Sequence, residues 1–409
     1  MSDANLQPQI LMARQPIFDV KQRVVAYELL YRSEADSEQA TFLGGSAATT
    51  EVLLNAYTSI SDAGSLKRVP AFINLTYDIV VEGKIPDLPR KQVVLEMLED
   101  AEVDEAFIAG VKALVDDGYR IALDDFIYSP KYDPLLKLAH IVKVDVMYHS
   151  YDEVVVLLKQ IKPFKVTLLA EKIETHEKLE ECISLGFKLF QGHFLSKPKL
   201  ITGRKINTGQ VALLQLIQEL QKPDAKPEAL QALIIKDPVL TYKLLRIVNS
   251  AANSLVRNVE SISDAIVLLG IPQVKKWATL IAMTANPDKP EELSRALLIR
   301  GRMAELIAEA QKSNHASSYF MAGMMSGLDA LLDLQQDQLL EQVPLGDEIK
   351  KAITTGEGQI GQVLTGVIDF IAGNWDTLPI DFDADLYDQA YRESLDWTRE
   401  AMQAMAEAD

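Results

Sequence analysis

Seven short β-like runs in the first half of the chain each carry side chains suited to work on a charged substrate. They place Glu28 in VVAYELL, Asn74 in PAFINL, Glu96 in QVVLEML, and Asp124 with Asp125 in YRIALDDF. Lys143 and Asp145 follow in HIVKVDV, Glu171 in KVTLLAEK with Glu174 just beyond, and Gln191 in FKLFQGHFL. Carboxylate and amide oxygens are the ligands that hard divalent cations prefer, so the set suits Mg²⁺ or Mn²⁺ rather than zinc. An Asp-Asp pair can flank two such ions ~3.5–4 Å apart, the arrangement used for in-line attack of water on a phosphodiester. A lysine beside it would offset charge on the developing oxyanion or orient the water. One acid alone would be a surface charge or a helix cap. Here Glu96, Asp124 and Glu171 each follow three apolar residues, and an unpaired carboxylate in apolar surroundings costs several kcal/mol.

The elements that must position these residues alternate between strand and helix. Between the strands lie DEAFIAGVKALVDDG (104–118) and THEKLEECISLG (175–186), the second with Thr175 as N-cap and Gly186 as its stop. Repeated strand–helix units argue for a mostly parallel sheet, and seven or eight of them in about 200 residues fit a small α/β TIM-like barrel whose strand C-termini converge on one face. From about residue 207 the pattern changes. QVALLQLIQELQ, PEALQALIIKD, VLTYKLLRIVNSAAN, SISDAIVLLG, PQVKKWATLIAMTA, ELSRALLIRGRMAELIAEAQK and SYFMAGMMSGLDALLDL carry apolar residues at helical spacing, punctuated by Pro and Gly. The expected organisation is a barrel over 1–203, an all-α helical bundle over 204–392 and an acidic helical tail over 393–409.

The net charge is −18, and both halves are acidic. That excludes the basic excess needed for phosphate-backbone binding, so no nucleic-acid partner is expected. An anionic substrate remains accessible if divalent cations stand between it and the protein. The single cysteine, Cys182, rules out an internal disulfide and Cys-rich zinc sites and suits a reducing cytoplasm. No apolar run approaches the ~18 residues that span a bilayer, and the N-terminus does not read as a signal peptide. The expectation is a cytoplasmic protein with no membrane partner.

The motifs, taken in order, resemble the EAL-domain cyclic-di-GMP phosphodiesterases over roughly residues 10–200. RQPIFD (14–19) is similar to the family's opening segment, and YELLYR (27–32) to its signature, with Leu29 for Ala and Arg32 kept. FINL, LEMLE, LDDF, VKVD, AEKIE and FQGHFLSKP resemble the motifs that follow. The resemblance implies that Glu28, Asn74, Glu96, Asp124, Asp125 and Glu171 hold two Mg²⁺ or Mn²⁺ ions. It implies catalytic roles for Lys143, Glu171 and Asp125, and substrate contacts from Gln15, Arg32, Asp145, Glu174 and Gln191. Glu99 becomes a loop-stabilising acid. The implied reaction is hydrolysis of cyclic di-GMP to linear pGpG, which lowers the messenger and favours motility over biofilm formation. The resemblance also implies a homodimer. Ile127-Tyr128-Ser129 stands where the family has Gly-Thr-Gly, and Lys172 where it has Gly. These departures leave a second function class open: an inactive cyclic-di-GMP receptor that signals through protein contacts.

IIKDPVLTYKLLRIVNSA (234–251), SISDAIVLLGIPQVKKWATL (261–280) and YFMAGMMSGLDALL (319–332) resemble the HDOD module, a helical relative of HD phosphohydrolases. Only His315 of the five histidines lies in this half, followed by Ala316, so an HD metal site is not available and a regulatory, protein-binding role is expected. Met321, Met324 and Met325 read as helical core. His193 is expected on the strand face of Gln191, and Cys182 buried and inert.

Overall fold

The computed structural model describes residues 10–33, 69–85, 88–98, 101–197, 208–222, 226–249, 259–284, 289–379 and 382–406. The chain divides into two compact units, one of residues 1–194 with 371–373, the other of 195–370 with 374–409. The boundary expected at 203/204 lies outside the described residues.

The first unit is a closed barrel in the order β1 to β8. Its strands are β1 (Ile10–Asp19), β2 (Val24–Ser33), β3 (Ala71–Leu75), β4 (Val93–Met97), β5 (Arg120–Leu123), β6 (Ile141–Asp145), β7 (Thr167–Glu171) and β8 (Leu189–Phe190). β2 through β8 pair in parallel, whereas β1 runs antiparallel to both β2 and β8. The sequence reading begins its strands at residue 24, so β1 is an addition. Arg14 and Pro16 hide its pattern, Pro because it cannot donate to a ladder and normally marks an edge.

Every strand contributes to one apolar layer inside the barrel: Ile17, Ala26, Phe72, Val94, Ala122, Ile141 and Leu169, with Leu189 packed against them. Side chains two residues apart in a strand share a face. The next inward position is therefore fixed on each strand, and this determines the site. Helices Glu105–Asp116 and His176–Leu185 fall where the sequence places them. Thr175 Oγ1 accepts from the Lys178 amide, and Gly186 closes the second helix at φ +99. Cys182 is buried on that helix, and burial pushes its thiol up to about 11. The sequence reading passed over helix Tyr151–Ile161. Its start carries a capping box in which Ser150 and Glu153 satisfy each other's backbone donors.

The second unit is a helical bundle. Asp237 caps Pro238–Val248, separating it from Pro227–Ile235. Gly270, at φ +82 and followed by Pro272, breaks Ile262–Thr284 into the two helices that the sequence suggests. This is the one described segment long and apolar enough to cross a membrane by length and composition, and 56% of its most apolar window is buried in the protein. Met324 and Met325 are core, as expected. Helices Gln336–Gln342, Asp347–Thr355 and Gly358–Ala372 are additional to those that the sequence pattern predicts. The last helix, Ala384–Ala406, runs unbroken through the expected tail boundary at 392/393. Leu395, Thr398 and Ala401 on it are buried, and Trp397 stacks on Trp277 at 5.2 Å, so residues 393–406 are part of the bundle.

Candidate active site in the barrel

One step beyond the apolar layer, each strand presents a polar residue. Ala26 leads to Glu28, Phe72 to Asn74, Val94 to Glu96, Ala122 to Asp124, Ile141 to Lys143, Leu169 to Glu171 and Leu189 to Gln191. On the reversed strand β1, Ile17 leads back to Gln15, which pairs with Glu28 across the ladder. Asn74 pairs with Glu96 on β3 and β4, and Asp145 with Glu171 on β6 and β7. The sequence reading named every member of this ring.

Lys143 stands at its centre, 1% exposed. Its Nζ lies 2.7 Å from Asp124 Oδ1, 2.9 Å from Glu96 Oε1, 2.9 Å from Glu171 Oε1 and 3.4 Å from Glu28 Oε1. Burial alone would lower the lysine pKa, but Glu171, Glu28, Glu96 and Asp124 outweigh it and hold the group well above its ordinary value. Glu96 and Glu171 move the other way. Desolvation pushes both well above the usual carboxylate range, and neighbouring acids add to it against the pull of Lys143. The cause is stoichiometric: four carboxylates share one ammonium.

Gln191 Nε2 donates to Glu28 Oε2 at 2.6 Å and to Gln15 Oε1 at 2.8 Å. Buried acceptor atoms are left over: Glu96 Oε2, Glu171 Oε2 and Gln191 Oε1 have no hydrogen-bond partner. Glu96 Oε1 meets Lys143 without hydrogen-bond geometry. Ligand oxygens of Glu28, Glu96 and Asp124 lie within 4.8 Å of one another. Surplus negative charge, unfilled oxygen acceptors and this convergence fit a hard divalent cation.

A second group lies at the rim. Lys172 Nζ is 2.6 Å from Asp145 Oδ2 and 3.5 Å from Asp125 Oδ2. Burial lowers the Lys172 pKa, while its hydrogen bond to Asp145 and the charge of Asp125 raise it above the ordinary lysine value. Asp125 has its carboxyl raised, first by burial and then by Asp124. Both Asp125 and Lys172 hold left-handed backbone, at φ +36 and +55. Such strain costs of order 1–3 kcal/mol and concentrates at functional sites. Gly192, at φ +143, is required: a Cβ there would sit 2.2 Å from the Ile173 carbonyl oxygen. β8 ends after two residues, the chain turns at Gly192, and His193 is exposed at the start of the 3-10 turn His193–Ser196, whose Phe194 and Leu195 are buried. His193 therefore does not share a strand face with Gln191, contrary to the sequence expectation.

Of the other expected residues, Glu174 is exposed beyond β7. Arg32 pairs with Leu11 in the ladder; its side chain, like all of Glu99, lies outside the described residues. The altered segment after Asp125 is tied down. The ring of Phe126 meets Tyr132 edge-on at 5.5 Å, and Tyr128 Oη donates to Asp133 Oδ1 at 3.2 Å. Beneath it an apolar cavity of about 160 Å³, lined by Met97, Phe107, Phe126 and Ile127 among others, borders Asp124 and Asp125. It is smaller than the ~300–1,000 Å³ of ordinary ligand pockets.

Known proteins resemble this chain over almost its whole length. The HDOD domain model matches residues 208–362. The uncharacterized protein YuxH of Bacillus subtilis is 31% identical over 408 residues, covering 97% of this chain and 100% of that one. The cyclic di-GMP phosphodiesterase CdgJ of Vibrio cholerae is 31% identical over 398 residues, covering 95% of this chain and 92% of that one. A solved structure of a standalone EAL protein from Vibrio cholerae O395, with cyclic di-GMP bound, is 21% identical over 46% of this chain and 92% of its own, with a TM-score of 0.36. The chain belongs to the family of EAL–HDOD proteins that its two full-length relatives represent.

Proposed function

We propose that the barrel, over residues 1–203, is a divalent-cation-dependent phosphodiesterase that hydrolyses one phosphodiester bond of cyclic di-GMP to linear pGpG. The observation that carries the reading is the ring of Glu28, Glu96, Asp124 and Glu171 around Lys143, with acceptor oxygens unfilled. The full-length relative CdgJ, named a cyclic di-GMP phosphodiesterase, supports the substrate.

Glu28, Asn74, Glu96 and Asp124 would hold Mg²⁺ or Mn²⁺, with Asp125 and Glu171 as further carboxylates toward it. When bound, the ion supplies Lewis-acid stabilisation of the phosphoryl oxygens and a more acidic water. The chain's own groups do the rest. Lys143, kept protonated by its neighbours, places positive charge where the phosphorane oxygens develop theirs. Glu171 accepts the proton of the attacking water. Gln191 and Gln15 fix the Glu28 carboxylate, so the ring stays organised without substrate. Arg32, Asp145 and Glu174 would meet the nucleotide. The net reaction adds one water and breaks one phosphorus–oxygen bond. In a cytoplasmic setting it would lower the messenger and favour motility over biofilm formation. The helical module, over 204–392 with the packed segment 393–406, would carry protein contacts, and a homodimer belongs to the same proposal.

The test is incubation of the purified chain with cyclic di-GMP and Mg²⁺ or Mn²⁺, with EDTA and Glu28→Ala as controls, followed by chromatography of the products. Metal-dependent pGpG, absent from both controls, is expected; hydrolysis without a divalent requirement would overturn the reading. The anchored segment Phe126–Asp133 favours one other reading, a receptor that binds cyclic di-GMP without cleaving it. That outcome would be recorded as tight binding with the nucleotide recovered intact.

A further inference from the structure

The two acidic groups at the barrel mouth are neutralised differently. Around Lys143, four carboxylates meet one ammonium, and oxygens remain unfilled. At the rim, two carboxylates meet one ammonium: Asp125 Oδ2 and Asp145 Oδ2 lie 3.5 and 2.6 Å from Lys172 Nζ, with Lys172 half-exposed, and the one acceptor without a partner there is Asp125 Oδ1. The second oxygen of Asp145 is also used, accepting the Met147 amide at 2.8 Å. Asp124 and Asp125 are consecutive, so an ion held by both would stand beside the carboxylate that Lys172 already reaches. The ammonium brings the positive charge that such an ion would bring, and repels it.

We propose that Lys172 is a built-in cation that takes the place of a second divalent ion between Asp125 and Asp145, so that the barrel binds one exchangeable divalent ion, at Glu28, Glu96 and Asp124, instead of two. The inference deepens the reading of the ring as a cation site and rests on it. It departs from the two ions that the motif order implies. The backbone supports the assignment. Residue 172 is left-handed at φ +55, a conformation glycine adopts freely and lysine at a cost. The chain thus keeps a lysine where its own backbone favours glycine, and the side chain is spent on Asp145 and Asp125.

The geometry also limits what Lys172 does. Among the described residues its ammonium pairs with Asp125 and Asp145 and with no carboxylate of the ring, so its removal leaves the Lys143 cluster intact. Lys172 is a positioning residue for Asp125 and Asp145, and its role is read from ion stoichiometry.

The experiment is a Mn²⁺ titration of the full-length chain, with free Mn²⁺ followed by electron paramagnetic resonance and bound ions counted per chain. Lys172→Gly and Lys172→Asn suit residue 172, since both tolerate left-handed backbone; Lys172→Arg retains the charge. Wild type and Lys172→Arg are expected to bind one ion. Lys172→Gly and Lys172→Asn are expected to bind two, the second at least about tenfold tighter than any second binding in wild type. Two equivalent ions in wild type, one in both neutral variants, or none at all would each overturn the proposal. The failures are separable. A change from one ion to two without any pGpG defeats the phosphodiesterase reading and leaves Lys172 as proposed. Hydrolysis by a wild-type chain with two ions does the reverse.

Discussion

Each unit buries a lysine, and the two are surrounded in opposite ways. Lys143 in the barrel faces four carboxylates. Lys276 in the helical unit faces one, Glu305, whose oxygens lie 2.7 and 2.5 Å from Nζ. Arg302 joins Glu305 at 2.6 Å, and Lys276 also stands 3.9 Å from the Phe320 ring centroid and 5.5 Å from that of Trp397. The neighbours of Lys143 overcome its burial and raise its pKa, whereas at Lys276 burial prevails and the pKa falls. In the helical pair both oxygens of the one acid are taken up by two bases, with aromatic faces alongside, and the atom left over is a donor, Arg302 Nε, not an acceptor. The barrel ring is incomplete, with more negative charge than its own lysine can neutralise. Burial of charge alone does not separate a functional site from a structural pair; the sign and size of the imbalance do.

The largest effect should come from correcting that imbalance. Glu96→Gln removes an acceptor charge at the least exposed ring position, and hydrolysis should drop about 10²–10³-fold, the scale of losing one preorganised electrostatic partner. The same change should raise the urea midpoint of the barrel without divalent ions, because one surplus carboxylate is gone. A lower midpoint for metal-free Glu96→Gln would break the comparison. In the helical unit the corresponding substitution has the opposite sign. Lys276→Met leaves Glu305 buried with only Arg302 beside it and should cost roughly 3–5 kcal/mol in denaturant unfolding. Adding Glu305→Leu should restore much of that loss, since a well-packed apolar pair can replace a buried ion pair at little cost.

Next in size is the response to metal. At a Mn²⁺ concentration about 100 times its dissociation constant, the barrel should gain about 2.7 kcal/mol, read as an upward shift of its thermal transition. Glu28→Ala should abolish the shift and Lys276→Met should leave it unchanged. A Mn²⁺ shift that follows the helical unit instead would place the cation site in the wrong half of the molecule.

Much of the barrel site was legible because a parallel barrel turns strand position into geometry. Glu96, Lys143 and Glu171 interrupt apolar runs two residues after Val94, Ile141 and Leu169, and the alternation of strand faces carries all three inward. The ring could therefore be named from chemistry and spacing before any contact was known. Other features do not depend on spacing. β1 was missed because Pro16 and Arg14 break its pattern, and His193 was misplaced because Gly192 turns the chain where period-two alternation predicts more strand. The division of labour between Lys143 and Lys172 depends on side-chain reach and left-handed backbone at 125 and 172, which no periodicity encodes. In the helical unit Trp397 reads as part of an acidic tail, yet it stacks on Trp277, 120 residues earlier in the sequence. The Lys276–Glu305 pair likewise joins positions far apart in the chain, and a lysine at 276 looks like an ordinary polar residue of an amphipathic helix.

The smallest effect separates the two lysines by pH. Burial lowers the Lys276 pKa from its ordinary 10.5, against the attraction of Glu305 and with the repulsion of Arg302; Glu309 lies further off. Below the folded-state pKa both folded and unfolded chains carry this proton, and Lys276 adds no pH dependence. Between that value and 10.5 the unfolded chain holds the proton more tightly, so unfolding takes up protons and the Lys276 contribution to stability rises with pH. Lys276→Met should remove that increment, giving a flatter, or more steeply falling, stability curve on the alkaline side than wild type in urea unfolding between pH 8 and 10, roughly the window below the unfolded lysine pKa. An unchanged slope would mean that Glu305 holds the lysine as firmly protonated as water does, in spite of burial and Arg302. Lys276 would then belong with Lys143, and the contrast between the two units would rest on the number of partners alone.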